Sequence, residues 1–276
     1  MVLIAIVSRL LAWNSSRYVH ISSELSISVI LILLGSFHGT LDIFKLISLE
    51  KGRKANLGAL YTAFYVAAVM LGIAALIFDT LISVLIFLSI SIIHFTIVEF
   101  DRRASTTGFI NRLVASIATS IAVFSFSFRV TSSLASSMLQ RLLGDERVAI
   151  TISGLGKYLA VGSLIVVLIS SLMDDVARRN LVEDISLLSA LLISPGLVAF
   201  SIFYGLRHGV DQWTIDRKAV NFDAVKVRVL VMVMALTMFL LFLTFILAGP
   251  LVAFVSLGFG LTLAHISLDV GYRLRL

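Results

Sequence analysis

The chain has 276 residues, of which 59% are hydrophobic and only 14% charged, and its mean hydropathy is +1.06. Because soluble domains are roughly 25% charged, this composition argues against a soluble enzyme and predicts a multi-pass protein of the cell membrane. The net charge of +6 predicts basic loops that set the membrane orientation and no nucleic-acid surface, and the absence of cysteine excludes disulfides, thiolate ligands and a cysteine nucleophile.

The predicted elements begin with residues 1–13, which lack the basic start and the cleavage site of a signal peptide and predict a short span or an interfacial anchor. Apolar runs recur after them, so we predict one all-α polytopic transmembrane bundle over residues 1–276, with about eight spans and a range of roughly 7–10. The predicted spans are 25–47, 57–78, 80–100, 108–128, 157–173, 182–207, 225–248 and 250–272.

The distribution of basic residues predicts the orientation of these spans. It places the C-terminal ends of spans 25–47, 80–100, 182–207 and 250–272 on the cytoplasmic side. Counting spans conflicts with this, because only two lie between 80–100 and 182–207. Residues 130–156 are too polar for a clean span, so we expect that they cross or fold back, or that the chain re-enters at Pro195.

Histidines with an acid one or two turns later are the main candidate site residues. Ionisable residues inside membrane spans are costly and indicate function by default. All four lie in the C-terminal parts of the four spans predicted to be parallel, so they should reach a similar depth. The pairs are His38 with Asp42, His94 with Asp101, His208 with Asp211, and His265 with Asp269.

This arrangement predicts a shared metal site. The acid either binds the same metal or accepts the second N–H of the imidazole and fixes its tautomer. Imidazole suits iron, copper, zinc or nickel, and the spacing leaves both Fe(II)-dependent oxygen chemistry and zinc-type hydrolysis open. The structural alternatives are histidines packed between helices, and acids such as Asp211 that cap helix ends or pair with Arg207.

Four short motifs, in order over residues 30–272, resemble those of the bacteriorhodopsin-related protein and β-carotene 15,15'-dioxygenase (Brp/Blh) family. In that family an early P-H-G-x-x-D, an H-F followed by acids, a W-H-x-x-R-H and a final P-H occur. The matching segments are FHGTLD at 37–42, HF at 94–95 before Glu99 and Asp101, FYGLRH at 203–208, and AH at 264–265.

The resemblance implies that His38, His94, His208 and His265 are ligands of Fe(II) or lie near it, with zinc or another divalent metal as the alternative. The chain departs from the family motifs at Phe37 and Ala264, which replace prolines, and at Tyr204, which replaces a histidine. If that histidine is an essential ligand, the chain binds metal differently, acts on another substrate or has lost catalysis. Tyr204 is then a weak ligand or a hydrogen-bond donor, and it joins Asp42 and Asp269 as a predicted catalytic residue.

The resulting prediction is a membrane oxygenase that uses O₂ to cleave a lipophilic polyene, a carotenoid, to a retinal-type product. Aromatic residues such as Phe37, Phe95 and Trp213 would pack on the polyene. Its expected partners are membrane lipid and a retinal-using membrane protein. Two alternatives stay open: a non-catalytic carotenoid- or retinal-binding assembly factor, and a divalent-metal transporter, which is disfavoured because the polar groups gather toward one face.

Overall fold

The computed structural model describes residues 1–2, 4, 26–35, 41, 44, 60, 63–71, 74, 80–103, 108–127, 146–172, 178–194, 196–214, 231–232, 235–236, 239, 260 and 262–269. Every regular element in these residues is helical, which confirms the all-α prediction. The bounded helices are α1 Thr80–Arg102, α2 Phe109–Ser127, α3 Glu146–Leu172, α4 Arg178–Ile193 and α5 Gly196–Ile202, followed by a π-helix at Phe203–Val210.

The chain divides into two compact units. The first comprises Met1–Leu31 and Leu88–Tyr204, and the second comprises Ile32–Phe87 and Gly205–Leu276. Each unit combines two separate stretches of sequence, so the division does not mark a domain boundary along the chain. The single-domain prediction stays a prediction.

In the first unit, α2 packs most extensively against α3 and also contacts α4 and α5. Small side chains make this close approach feasible, and the buried face of α2 includes Ala115, Ala118 and Ala122. Its buried hydroxyls bond within their own helix: Thr119 Oγ1 donates to the Ala115 carbonyl at 2.9 Å, and Ser120 Oγ donates to the Ser116 carbonyl at 3.1 Å. An apolar helix can therefore bury these polar groups at little cost.

The start of α2 is defined by Gly108, whose φ of 82° lies in the left-handed region that glycine adopts without strain. The Gly108 carbonyl accepts a hydrogen bond from the Arg112 N–H at 3.1 Å, which closes the first turn. One turn in, Asn111 Nδ2 donates to the Ser170 carbonyl at 3.2 Å and ties this end of α2 to α3.

Residues 182–207, predicted as one span with a break at Pro195, form three successive elements. Helix α4 ends at Ile193, the chain bends at Ser194, and α5 begins at Gly196. A proline disfavours helical geometry in the residue before it, which explains the break. The π-helix after α5 has no counterpart in the prediction.

Helix α3 begins eleven residues before the predicted start of span 157–173, at Glu146. Residues 146–156, part of the stretch predicted to cross or fold back, form the first turns of this helix, and whether they cross a membrane stays a prediction. Hydropathy marks only the apolar part of a helix, so it missed the polar first turns of α3. The rest of 130–156 lies outside the described residues.

In the second unit, the close approach of two segments depends on a glycine. A Cβ built at Gly260 would lie 2.6 Å from the Val69 carbonyl oxygen and 3.1 Å from its Cα, so only hydrogen fits there. Tyr65 and Val69 are buried on one segment, and Ala264 and Leu268 are buried on the other.

Within the described residues, one helical segment, Phe109–Phe126, is long and apolar enough to cross a membrane by length and composition. Two shorter apolar helical segments are Ser26–Gly35 and Gly154–Ser170. The bundle of about eight spans stays a prediction, and spans 225–248 and 250–272 lie largely outside the described residues.

Candidate metal centre

His94 belongs to the first unit and lies in the second half of α1, where its side chain is buried. Its ring centroid is 5.5 Å from that of Phe95, the next residue in the chain. Phe95 is in turn almost fully buried. The helix turn that carries His94 is therefore held in a well-packed part of this unit.

Around Phe95 lies an aromatic cluster, made of Phe95, Phe124, Phe200, Phe203 and Tyr204. Phe95 meets Phe203 edge-on with centroids 5.0 Å apart, stacks on Phe124 at 5.9 Å, and meets Tyr204 edge-on at 6.4 Å. Phe200 lies 5.6 Å from Phe124. Edge-on and offset pairs of this kind stabilise packing beyond the area that they bury.

Tyr204 is a buried member of this cluster. Its ring stacks on Phe200, with centroids 5.8 Å apart and an interplanar angle of 18°. These contacts show that the ring of Tyr204 is part of the packed core. The catalytic role of its hydroxyl stays a prediction.

In the second unit, the structure brings two of the predicted ligands together. The rings of His208 and His265 lie 5.8 Å apart between centroids, at an interplanar angle of 67°. Both side chains are buried, and they come from distant parts of the sequence, the π-helix and the helical residues 262–269. Two imidazoles at this separation can turn nitrogen atoms toward a common ion.

The predicted acidic partners differ in burial. Asp269, one turn after His265, is half-buried, whereas Asp101 and Asp211 are exposed. The position of Asp269 is compatible with a group that orients an imidazole. His38 and Asp42 lie outside the described residues, although their neighbours Leu41 and Phe44 belong to the buried core of the second unit.

Sequence reasoning missed an ion cluster in the first unit. Its members Glu99, Arg103 and Asp184 are buried, Arg102 is partly buried, and Glu183 is exposed. Arg103 Nη2 lies 3.0 Å from each carboxylate oxygen of Asp184 and 3.3 Å from Thr119 Oγ1. Arg102 pairs with Glu99 at 3.2 Å and with Asp184 at 3.5 Å, and its Nη1 donates to Glu183.

Arg102 and Arg103 follow span 80–100 and belong to the basic residues whose distribution predicts the membrane orientation. Burial alone would lower the pKa of Arg102, but the negative charges of Glu99, Asp184 and Glu183 outweigh it and raise the pKa. Arg102 is therefore a permanent cation. The complementary charges just after span 80–100 and at the start of span 182–207 were the available signal for this cluster.

The described part of the chain offers three buried histidines as potential metal ligands: His94, His208 and His265. Neutral imidazole nitrogens suit iron, copper, zinc and nickel, and they suit magnesium and calcium poorly. The chemistry of this donor set therefore fits a transition-metal ion. It does not select one metal among these four.

Many protein families are all-α and have buried histidine donors. Comparison with known families identifies the one to which this chain belongs. The chain matches the family model BCD, beta-carotene 15,15'-dioxygenase, over residues 29–269. The chain therefore belongs to the beta-carotene 15,15'-dioxygenase family, which confirms the resemblance stated from its motifs. Comparisons with curated proteins and with solved structures gave no match.

Proposed function

We propose that this chain is a membrane-embedded non-haem iron oxygenase that cleaves a β-carotene-like carotenoid to a retinal-type apocarotenoid. The observation that carries the proposal is the family match over residues 29–269, which includes all the predicted ligands. In the overall reaction the carbon–carbon double bond is broken and each of its carbons receives one oxygen atom of O₂, so two carbonyl compounds form.

The proposed ligands are four imidazoles, from His38, His94, His208 and His265. When bound, Fe(II) would supply the redox chemistry that activates O₂. The burial of the three described histidines supports this assignment, because a water-excluded environment strengthens the electrostatic interactions of a site. The 5.8 Å separation of the His208 and His265 rings supports it further.

The chain's other site residues are proposed to act on the ligands and the substrate. Asp269 and Asp42, each one turn after a histidine, accept the imidazole N–H that does not face the metal and thereby fix the tautomer. Tyr204 donates a hydrogen bond from its hydroxyl to a polar group of the site. The aromatic cluster holds the Tyr204 ring so that the hydroxyl has a defined direction.

A cell-membrane location, with substrate entering from the bilayer, is part of this proposal. Large apolar side chains are exposed along the helices, among them Phe109, Ile110, Val182 and Leu172. Exposed apolar surface of this extent is stable in lipid and costly in water. A carotenoid dissolved in the bilayer would reach such a protein without crossing water.

Co-expression in carotene-producing bacteria tests the function. We expect carotene to fall and retinal to appear with the parent chain, and both effects to disappear with His94→Ala. The matched control is Ile97→Ala, at an exposed position one turn further along α1, which should retain activity. Unchanged carotene with correctly inserted parent protein would refute the proposal.

A carotenoid-binding assembly factor is the second candidate. The aromatic packing of Tyr204, at the position where the family motif has a histidine, favours it because a packed tyrosine does not replace a metal ligand. Purified protein that holds carotenoid stoichiometrically and contains no metal would select this candidate over the oxygenase.

A further inference from the structure

A buried ion pair joins Arg103, the residue that follows α1, to Asp184 in the first half of α4. The side chains of Arg103 and Asp184 are only 2% and 1% exposed, and the guanidinium also reaches Thr119 on α2. We infer that this pair acts as a clamp that fixes the rotation of α1 about its own axis and thereby the direction in which the His94 side chain points. Arg103 and Asp184 are then positioning residues for that histidine. The inference rests on the proposed function where it concerns His94 as a metal ligand.

The energetics favour an orienting role over a stabilising one. A buried ion pair loses most of its Coulomb energy to desolvation, and apolar residues of similar volume often replace it without loss of stability. What the pair provides is direction, because Arg103 Nη2 lies within 3.0–3.3 Å of three acceptor atoms, both Asp184 oxygens and Thr119 Oγ1, and few side-chain orientations reach all three. Here that direction is shared by three helices, α1, α2 and α4.

Helix geometry relates the clamp to His94. The Arg103 N–H donates to the Glu99 carbonyl at 3.1 Å, so the helical hydrogen-bond pattern of α1 continues to Arg103. Each residue turns the helix by about 100°, which places Arg103 about 180° from His94, nine residues earlier. The clamp therefore holds the side of α1 that is opposite His94.

A second contact holds another side of the same helix. Phe95, which follows His94, is fixed by Phe124 of α2 and by Phe203 at the start of the π-helix. Rotation of α1 has to break both the aromatic contacts and the ion pair, so loss of the ion pair lowers the cost of rotation and leaves the aromatic contacts as the remaining restraint. The direction of His94 is then set by residues that need not touch it.

Because the natural chain contains no cysteine, single introduced thiols can report the rotation of α1 without any metal. Ile97 is 42% exposed and Val98 only 7% exposed, although they are adjacent. We expect Ile97→Cys to react much faster than Val98→Cys with a small, membrane-permeant maleimide. In an Asp184→Ala background the ratio of the two rates should fall toward one, and in an Asp184→Glu background it should return toward the parent ratio.

Metal titration of the purified chain with Fe(II) alone gives the second readout. Loss of a residue that orients a metal ligand typically weakens metal binding by about 10- to 100-fold, and we expect this for Asp184→Ala and for Arg103→Leu. Glu183→Gln is the control, because its side chain is 57% exposed and its ion pair with Arg102 lies at the surface. It should leave both the rate ratio and the Fe(II) affinity at the parent values.

The outcomes separate the clamp from the proposed function. An unchanged thiol ratio in a folded Asp184 variant overturns the clamp, whatever the metal result is. If Asp184→Ala does not fold, the thiol ratio is measured in Asp184→Asn, which keeps the volume of the side chain and removes its charge. The same criterion then applies to that variant. A parent chain that binds no Fe(II) refutes the proposed function while the thiol ratio still tests the clamp. A changed ratio with unchanged Fe(II) affinity overturns the link to His94.

Discussion

His208 and His265 are two buried imidazoles from distant segments of one unit, with rings 5.8 Å apart. Nothing in core packing requires two histidines at this place, since each buries polar nitrogens that an apolar residue would not have. A bound cation would turn this cost into stabilisation, because neutral imidazole nitrogens are good donors to transition metals. The pair is therefore the part of the candidate centre whose function is easiest to test.

Replacing either histidine by alanine should remove bound metal. We expect His208→Ala and His265→Ala each to lower the iron content of the purified protein to near zero, measured by elemental analysis. Ser267→Ala is the control on the same helix, because Ser267 Oγ donates to the Leu263 carbonyl at 2.7 Å and faces its own backbone. Parent-level iron in either histidine variant would contradict its assignment as a ligand.

Two substitutions of Tyr204 distinguish the role of its ring from the role of its hydroxyl. Tyr204→Phe keeps the stacked ring, so it should lower the free energy of unfolding by only about 1 kcal/mol, the contribution of one hydrogen bond. The same loss in the transition state should lower the turnover of carotene about fivefold. Tyr204→Ala removes the ring from the aromatic cluster and should destabilise the fold by about 3–5 kcal/mol. Full turnover in Tyr204→Phe would leave only the packing role.

At the level of elements, much of the helix architecture was predictable from local sequence. The predicted spans 80–100 and 108–128 agree within two residues with α1 Thr80–Arg102 and α2 Phe109–Ser127, because both helices are apolar over most of their length. The π-helix was not predictable, since its extra residue per turn depends on tertiary packing that hydropathy does not encode. The Arg103–Asp184 pair was missed for the same reason, because 81 residues separate its members.

Part of the candidate site was also predictable from the sequence, and part of it was not. The α-helical spacing of His265 and Asp269 places them on one helix face, so the sequence suffices to propose them as a local pair. The same rule was applied to His208 and Asp211, but His208 lies buried in the π-helix and Asp211 is exposed. The meeting of His208 with His265 depends on how two distant segments pack, and their spacing in sequence gives no information on it. The order of the family motifs supplied that link.

The close contact between Gly260 and Val69 predicts how a side chain at position 260 would change the stability of the protein. Gly260→Ala forces a Cβ to within 2.6 Å of a backbone oxygen and should destabilise the protein by about 1–3 kcal/mol, because backbone atoms on both sides must move. Gly162→Ala is the matched control, as its Cβ meets nothing within 4 Å. A helix gains about 0.5–1 kcal/mol from this change, so the two variants should shift the thermal midpoint in opposite directions.

For the molecule as a whole, the exposed apolar side chains allow a test of the proposed membrane location. Ile165 is 50% exposed and lies within the apolar helical segment Gly154–Ser170. If lipid surrounds this segment, Ile165→Asp places a charge in hydrocarbon at a cost of about 2.5–3.5 kcal/mol, and the fraction of protein recovered in the membrane pellet after a carbonate wash should fall. Ile165→Ala keeps the position apolar and should stay in the pellet like the parent. In water, a surface substitution such as Ile165→Asp changes the free energy of unfolding by no more than about 0.5 kcal/mol. Equal recovery of both variants in the pellet would therefore show that lipid does not cover this face.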